Sequence, residues 1–183
     1  AGFGTSINQT LTATTSSAGT ATYTITPSAG GCTGTPIVVV VTVNPNPNVV
    51  ALPASQTICS GAVTNIGLST TNGVGGVTYS WTRVDVGVSG VLIGTGSTIA
   101  ETLTATGSVA GTATYTITPA AGGCNGTAIT VIVTVNPLPD VLATPNSETI
   151  CSGTTSNIAL STTNGVAGAT YSWTVVQSNV SGA

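Results

Sequence analysis

The sequence contains no histidine, lysine or methionine, and Arg83 is its single basic residue. A nucleic-acid-binding protein neutralises phosphates with several lysine or arginine side chains, and a polybasic membrane-binding segment needs a similar cluster. Both classes of protein are therefore excluded. Without histidine or lysine, neither a Ser-His-Asp triad nor a lysine-activated nucleophile can form. The sequence predicts that the protein is not an enzyme and needs no cofactor.

Charge of either sign is scarce. Charged residues make up 3% of the chain, against about 25% in ordinary globular proteins, so the surface must consist of hydroxyl and amide groups. Such a surface gives little colloidal repulsion, which an anchored or polymerised protein tolerates better than a free monomer. The longest apolar run, residues 37–41, is far shorter than the roughly 20 residues of a transmembrane helix. We expect assembly with other copies or modules and no direct membrane insertion.

A repeat of 92 residues determines the organisation of the chain. Residues 1–91 align with residues 93–183 without a gap, and 61 of the 91 pairs are identical. Proline cannot donate to a strand ladder and stiffens a linker, so the repeated proline pairs mark the boundaries between modules. These linker residues are Pro45, Pro47, Pro137 and Pro139.

The linkers predict three segments. Residues 1–45 form the C-terminal half of a module, residues 46–137 a complete β-sandwich module, and residues 138–183 the N-terminal half of the next module. Since the sequence contains no methionine and has no signal-like start, we expect it to be an internal piece of a longer polypeptide or a processed product, and the half-modules are expected if it was cut from a longer array. A second interpretation is that the halves on successive chains complete each other in a polymer.

The four carboxylates do not recur in the repeat. Glycoside hydrolysis needs a pair of carboxylates, and a repeated calcium site needs the same acidic residues in each copy. The equivalent pairs are Asp85 with Gln177, Glu101 with Gln9, Asp140 with Asn48, and Glu148 with Gln56. The sequence therefore predicts neither a catalytic carboxylate pair nor a metal site.

Alternation of large and small or polar residues predicts strands. Residues 112–118 alternate threonine with Ala113, Tyr115 and Ile117, and residues 129–135 place Ile and Val on one face. A turn from Pro119 to Gly126 joins these two strands. Further strands are predicted around Ile66, around Trp81 and over residues 99–105, and no segment has a helical period. About seven short strands in one module are typical of an immunoglobulin-like sandwich, so the predicted fold class is all-β, with tandem sandwich modules.

The same alternation places the repeated aromatic residues inward. Tyrosine and tryptophan contribute much of the apolar area of such a core. An alternative is that Tyr79 and Trp81, with their repeats, form an aromatic platform for a sugar. The predicted core aromatics are Tyr23, Tyr79, Trp81, Tyr115, Tyr171 and Trp173.

Several motifs resemble a known family. They are Thr57-Ile-Cys-Ser-Gly61, Thr78-Tyr-Ser-Trp-Thr82, Gly111-Thr-Ala-Thr-Tyr-Thr-Ile117, Gly122-Gly-Cys124 and the closing residues 131–137. Together they resemble the PKD-like, immunoglobulin-like repeat of very large secreted proteins of Bacteroidota, including gliding adhesins. The resemblance implies a β-sandwich, export by the type IX system and a place on the cell surface as a stalk or adhesin segment.

Each module has one cysteine before its second strand and one in its last hairpin. The first type comprises Cys59 and Cys151, and the second comprises Cys32 and Cys124. Zinc ligation is not expected, because there is no CxxC spacing and no histidine. Disulfides are expected in a secreted chain. Two pairings remain open: Cys59 with Cys124 inside a module, or a link between consecutive modules in which Cys59 pairs beyond residue 183.

The sequence thus predicts a secreted structural repeat that forms the stalk of a surface adhesin or the building block of an extracellular filament. Its expected partners are neighbouring modules of the same chain and identical chains in a filament, with the β-branched segment 37–43 as a candidate pairing strand. The alternative function is a carbohydrate-binding adhesin module with a glycan ligand.

Overall fold

The computed structural model describes residues 2–90 and 93–182, and these residues form strands and loops without a helix. No helix capable of crossing a membrane is found in these ranges. The prediction of an all-β fold is confirmed. The strands are β1 (Gly19–Ile25), β2 (Ser28–Ala29), β3 (Cys32–Thr33), β4 (Ile37–Val43), β5 (Val50–Leu52), β6 (Ser55–Cys59), β7 (Ile66–Ser69), β8 (Thr78–Val86), β9 (Val88–Ser89), β10 (Ile93–Thr95), β11 (Thr98–Ile99), β12 (Thr104–Ala105), β13 (Gly111–Ala121), β14 (Cys124–Asn125), β15 (Ile129–Asn136), β16 (Leu142–Thr144) and β17 (Ala159–Ser161).

The central part of the chain forms two facing sheets. The larger sheet has the order β10-β8-β13-β15-β6, with β14 paired to β13, and the smaller has the order β11-β7-β5. All of these pairs are antiparallel except β15 with β6, which run parallel. A short pair, β12 with β9, lies beside them. The buried cluster between the sheets extends from Val49 to Val135.

The inward faces follow the alternation of the sequence. In β13, Ala113, Tyr115 and Ile117 are fully buried, and in β15 all three valines are buried while the residues between them are more exposed. Successive side chains of a strand point to opposite faces of the sheet. The predicted core face of this hairpin is therefore confirmed.

Two local predictions differ from the structure. The strand predicted over residues 99–105 is divided into β11 and β12, because the intervening main chain bonds to the segment after β6: the amide of Gly61 donates to the carbonyl of Leu103 (2.8 Å). The turn predicted from Pro119 begins later, since β13 continues to Ala121. Proline is tolerated there because the ladder with β15 has already ended at Ile117.

The flanking segments contain strand pairs that are equivalent to parts of this sandwich, but each pair forms a sheet of only two strands. Strands β1 and β4 pair in the same register as β13 and β15, and β16 pairs with β17 as β5 pairs with β7. Val39 is 41% exposed, whereas its equivalent Val131 is 1% exposed. Among the described residues, β1 and β4 form a sheet of two strands, and the face of β4 that is equivalent to the core face of β15 is exposed.

Candidate functional site: the joints between repeats

Two joints connect the central sandwich to the flanking repeats, and they have equivalent contacts. Each joint comprises the end of one repeat, the proline linker and the first long loop of the next repeat. The first joint is formed by residues 12–16, 44–48 and 70–74, and the second by residues 104–108, 136–140 and 162–166.

At the first joint, the side chain of Asn48 binds the loop. Its Oδ1 accepts hydrogen bonds from the amides of Thr71 (3.0 Å) and Asn72 (3.2 Å) and from the hydroxyl of Thr70 (2.7 Å). The side chain of Asn72 returns a bond, donating from Nδ2 to the carbonyl of Asn46 (2.9 Å). Short polar side chains favour such bonds to nearby main-chain groups. The loop is thereby fixed to the linker at both ends of its turn.

At the second joint, Asp140 occupies the position of Asn48. Its Oδ1 accepts from the amides of Thr163 (2.9 Å) and Asn164 (3.2 Å), and its Oδ2 accepts from the Thr163 hydroxyl. Asn164 donates from Nδ2 to the carbonyl of Leu138 (2.8 Å). The Thr163 hydroxyl, followed by the two amides, lowers the pKa of Asp140. The two joints therefore share the two amide contacts and the bond from the loop asparagine, with a carboxylate in one and an amide in the other.

Acidification should loosen the second joint and leave the first unchanged. Because the pKa of Asp140 is lowered on folding, its contribution is present above the unfolded value of about 3.9 and is lost as the pH falls through the lower folded value. A titration of amide chemical shifts by NMR should show Thr163 and Asn164 moving together below that pH. The amides of Thr71 and Asn72, which face uncharged Asn48, are the internal control. Equal movement at both joints would contradict the assignment.

At each joint, the segment that precedes β1 or β13 lies directly against the first long loop of the following repeat. A Cβ placed on Gly73 would lie 3.5 Å from the Cβ of Ser16, and one placed on Gly165 would lie 3.7 Å from the Cβ of Ser108. Both glycines have positive φ, 73° and 71°, a conformation that suits glycine. The loop can therefore turn tightly at the point where the two repeats touch.

The linker also contacts the last hairpin of the central sandwich. The side chain of Asn44 donates from Nδ2 to the carbonyl of Gly122 (2.7 Å). Pro47 is buried, and a Cβ placed on Gly126 would lie 1.8 Å from its carbonyl oxygen. Among the other predicted linker prolines, Pro45 and Pro137 are half-buried and Pro139 is exposed. The hairpin turn thus supports the linker that enters the module.

The four cysteines have free thiols in the structure. Cys59 ends β6 opposite Asn136, whereas Cys124 lies beyond the other end of β15. Because a strand rises roughly 3.3 Å per residue, the eight residues of β15 alone span about 23 Å. A disulfide requires Cα atoms within about 7 Å, which is much less than the separation of Cys59 and Cys124 in this sandwich. Cys32 and Cys151 are both exposed.

The predicted aromatic residues have different environments in the three repeats. In the central sandwich, Tyr79 and Trp81 are 8% and 6% exposed and Tyr115 is fully buried. In the flanking segments, Tyr23 and Tyr171 are half-buried and Trp173 is 79% exposed. The aromatic pair considered as a sugar platform is therefore covered in the central sandwich.

A buried ionic cluster, formed by Arg83, Asp85, Glu101 and Tyr115, connects β8 and β13 of the larger sheet to the segment between β11 and β12. Arg83 is 5% exposed and binds Asp85 through two parallel hydrogen bonds of 2.7 and 2.8 Å. Its Nη1 lies 2.7 Å from a carboxylate oxygen of Glu101, and its guanidinium carbon lies 5.7 Å from the ring centre of Tyr115. The single basic residue of the protein is thus a component of its interior.

Glu101 satisfies the remaining polar groups of the ionic cluster. It accepts hydrogen bonds from Trp81 Nε1 (3.0 Å) and from the Tyr115 hydroxyl (2.9 Å). Burial raises the pKa of Tyr115 to about 12, so its hydroxyl remains a neutral donor. Burial lowers the pKa of Arg83, but hydrogen bonds with Asp85 and Tyr115 outweigh it and leave that pKa raised. Arg83 therefore remains a cation, and the hydrogen-bonded ionic cluster acts as a structural brace.

The repeat itself contains a signal for the ionic cluster. Where the central repeat has Arg83 and Asp85, the third has Val175 and Gln177, so the charges of both signs disappear together. Glu101 is replaced by Gln9 in the first repeat, where the Tyr23 hydroxyl donates to Gln9 Oε1 (2.8 Å). Joint replacement of opposite charges at nearby positions indicates a pair in contact.

Comparison with known proteins is consistent with this architecture. Residues 1–47 and 56–139 match the PKD-like domain, and no curated protein matches the chain. PKD-like domains are generally non-catalytic, and they typically occur as extracellular repeat modules of surface proteins. Since the match covers most of the sequence, the chain belongs to the PKD-like domain family.

Proposed function

We propose that the protein is an extracellular structural repeat whose modules, arranged in series, form the stalk of a surface adhesin or the building block of a fibre. The observation that carries this proposal is the repetition of the joint. The same loop, linker and glycine contact occur on both sides of the central sandwich. A joint that is rebuilt at each repeat gives each module the same orientation relative to the last, as a spacer requires.

The proposed modules follow the linkers: residues 46–137 are one module, and residues 1–45 and 138–183 are halves of its neighbours. The buried cluster lies within the first of these ranges, and each flanking segment leaves apolar strand residues exposed. Repeat proteins gain stability from the modules and from the contacts between neighbours. The partners of a module are therefore the preceding and following modules, and in a fibre also identical chains.

The sparse charge of the chain suits the proposed setting. An uncharged surface of hydroxyl and amide groups is tolerated in an anchored or assembled protein. With the resemblance described above, this supports a surface protein of the gliding-adhesin type, exported by the type IX system of Bacteroidota. The carbohydrate-binding alternative has less support, because Tyr79 and Trp81 are buried in the central sandwich.

Electron microscopy of the protein on its native source would test the proposal. Separate strings of regularly spaced beads would support a stalk, and laterally ordered bundles would support a fibre. Compact particles without a repeat along an axis would contradict both.

Replacing Asn72 with alanine should weaken the first joint. The change removes the amide that donates to the carbonyl of Asn46, and one such bond contributes about 1 kcal/mol. We expect the nuclear Overhauser effect between Gly73 and Ser16 to weaken while the central sandwich remains folded. Asn65→Ala, an equivalent change at an exposed site before β7, is the matched control. A joint unaffected by Asn72→Ala would show that the hydrogen bond does not set its orientation.

A further inference from the structure

We propose that each joint is closed by a disulfide between the Cys59-type cysteine of one module and the Cys124-type cysteine of the next. The proposal rests on the serial arrangement of modules described above. It adds a covalent bond to a contact that is otherwise held by hydrogen bonds. One cysteine type lies beside each joint of this chain: Cys59 beside the second joint and Cys124 beside the first.

The second joint shows where Cys59 lies. In the parallel pair of β6 with β15, Cys59 is the partner of Asn136, the last residue before the linker. The next amide, that of Ser60, donates to the carbonyl of Asn136 (2.8 Å). Parallel neighbours are separated by about 4.8 Å. Cys59 therefore lies beside the residue from which the chain leaves the module, and it is exposed.

The first joint shows where Cys124 lies. Asn44, which is the equivalent of Asn136 one repeat earlier, donates from its side chain to the carbonyl of Gly122 (2.7 Å). Cys124 follows two residues later, at the start of β14, and is partly exposed. The last hairpin of a module is thus held against the linker that precedes it. Cys124 therefore lies near the asparagine position that ends the preceding repeat.

Combining the joints by the 92-residue repeat places the two cysteines together. The asparagine at the end of each module has the Cys59-type cysteine as its strand neighbour and contacts the hairpin that contains the Cys124-type cysteine of the next module. Within one module the same two cysteines are separated by more than the length of β15. In this chain the partners of Cys59 and Cys151 belong to following modules, and those of Cys32 and Cys124 to preceding modules.

The reaction is a thiol–disulfide exchange. One cysteine thiolate attacks the disulfide of a thiol–disulfide oxidoreductase, and a mixed disulfide forms. The second cysteine then attacks that bond, which gives the joint disulfide and the reduced dithiol of the oxidoreductase. The dithiol of the oxidoreductase takes up the two electrons and two thiol protons that the two cysteines of the joint lose. Both cysteine types are accessible to such a protein, because Cys59 is exposed and Cys124 is partly exposed.

The test uses the full chain extended at its C-terminus by a second copy of its own residues 92–183, which completes the third module. Serine replaces Cys32, Cys151 and the added copy of Cys151. The remaining cysteines are Cys59, Cys124 and the added copy of Cys124. The protein is oxidised with glutathione disulfide, alkylated, unfolded and cleaved before aspartate. Cleavage at Asp85 and at both copies of Asp140 puts the three cysteines on three different fragments.

We expect the Cys59 fragment to be joined to the fragment with the added copy of Cys124, and the link to disappear on reduction or in a Cys59→Ser variant. A link between Cys59 and Cys124 of the same module, or free thiols after oxidation, would overturn the proposal. Amide spectra of the same sample distinguish absence of the disulfide from absence of the serial joint. Intact signals of Asn72 and Asn164 without the disulfide would reject the covalent link alone, whereas loss of these signals would reject the serial joint itself.

Discussion

Replacing Arg83 with valine should lower the free energy of unfolding by about 3–5 kcal/mol, the usual cost of removing one partner from a buried ion pair. Asp85 and Glu101 would remain in the interior, with side chains 13% and 12% exposed, facing each other without the guanidinium between them. Urea denaturation followed by circular dichroism would measure the loss. An unchanged midpoint would show that water already compensates the two carboxylates.

The chain itself provides the matched control for this experiment. The other repeats have Val175, Gln177 and Gln9 at the three positions of the charged residues. The triple variant Arg83→Val, Asp85→Gln and Glu101→Gln should therefore recover most of the lost stability, because removing a whole buried ionic group is often neutral. If the triple variant were as unstable as the single one, the loss would come from packing around the arginine stem and not from unpaired charge.

Replacing Gly126 with alanine should disrupt the entry of the linker into the central module. The new Cβ would lie 1.8 Å from the carbonyl oxygen of Pro47. A side-chain rotation cannot relieve this contact, because the oxygen belongs to the main chain and the Cβ is attached directly to it. Forcing extra atoms into a packed site costs about 1–3 kcal/mol. We expect a lower thermal midpoint and loss of the bond from Asn44 to Gly122, visible in the side-chain amide signals of Asn44.

Gly34→Ala is the matched control, because Gly34 is the equivalent glycine of the first repeat. There the new Cβ would meet the ring of Pro27 at 2.9 Å instead of a linker carbonyl. A proline ring can adjust, so the effect on stability should be smaller. Equal effects of the two changes would mean that the glycine serves the hairpin turn and not the joint.

Much of the fold could be predicted from the sequence, because strand alternation depends on burial alone. The inward positions of β13 and β15 were evident from Tyr115 and from the valines of β15. The division of residues 98–105 into two short strands was not predictable in this way. It depends on where the main chain of residues 61–64 finds its partners, which is a property of the tertiary structure.

The candidate site was predictable in position and not in detail. The prolines and the 92-residue period located the joints, since both features can be read along the chain. The contacts of Asn48 and Asn72 could not be inferred, because asparagine near glycine is common in any turn. Arg83 was likewise missed as an interior residue, since arginine is rarely buried unless it is paired, and one of its two acidic partners, Glu101, is distant in sequence.

The parallel pairing of β6 with β15 has a mechanical consequence. Strand β6 follows the segment by which the chain enters the central sandwich, and β15 leads directly to its exit. Tension applied to the two ends therefore pulls these neighbouring strands in opposite directions along their length. The ladder from Ser55 and Ile132 to Cys59 and Asn136 is then loaded in shear, so its hydrogen bonds resist together and do not open one at a time.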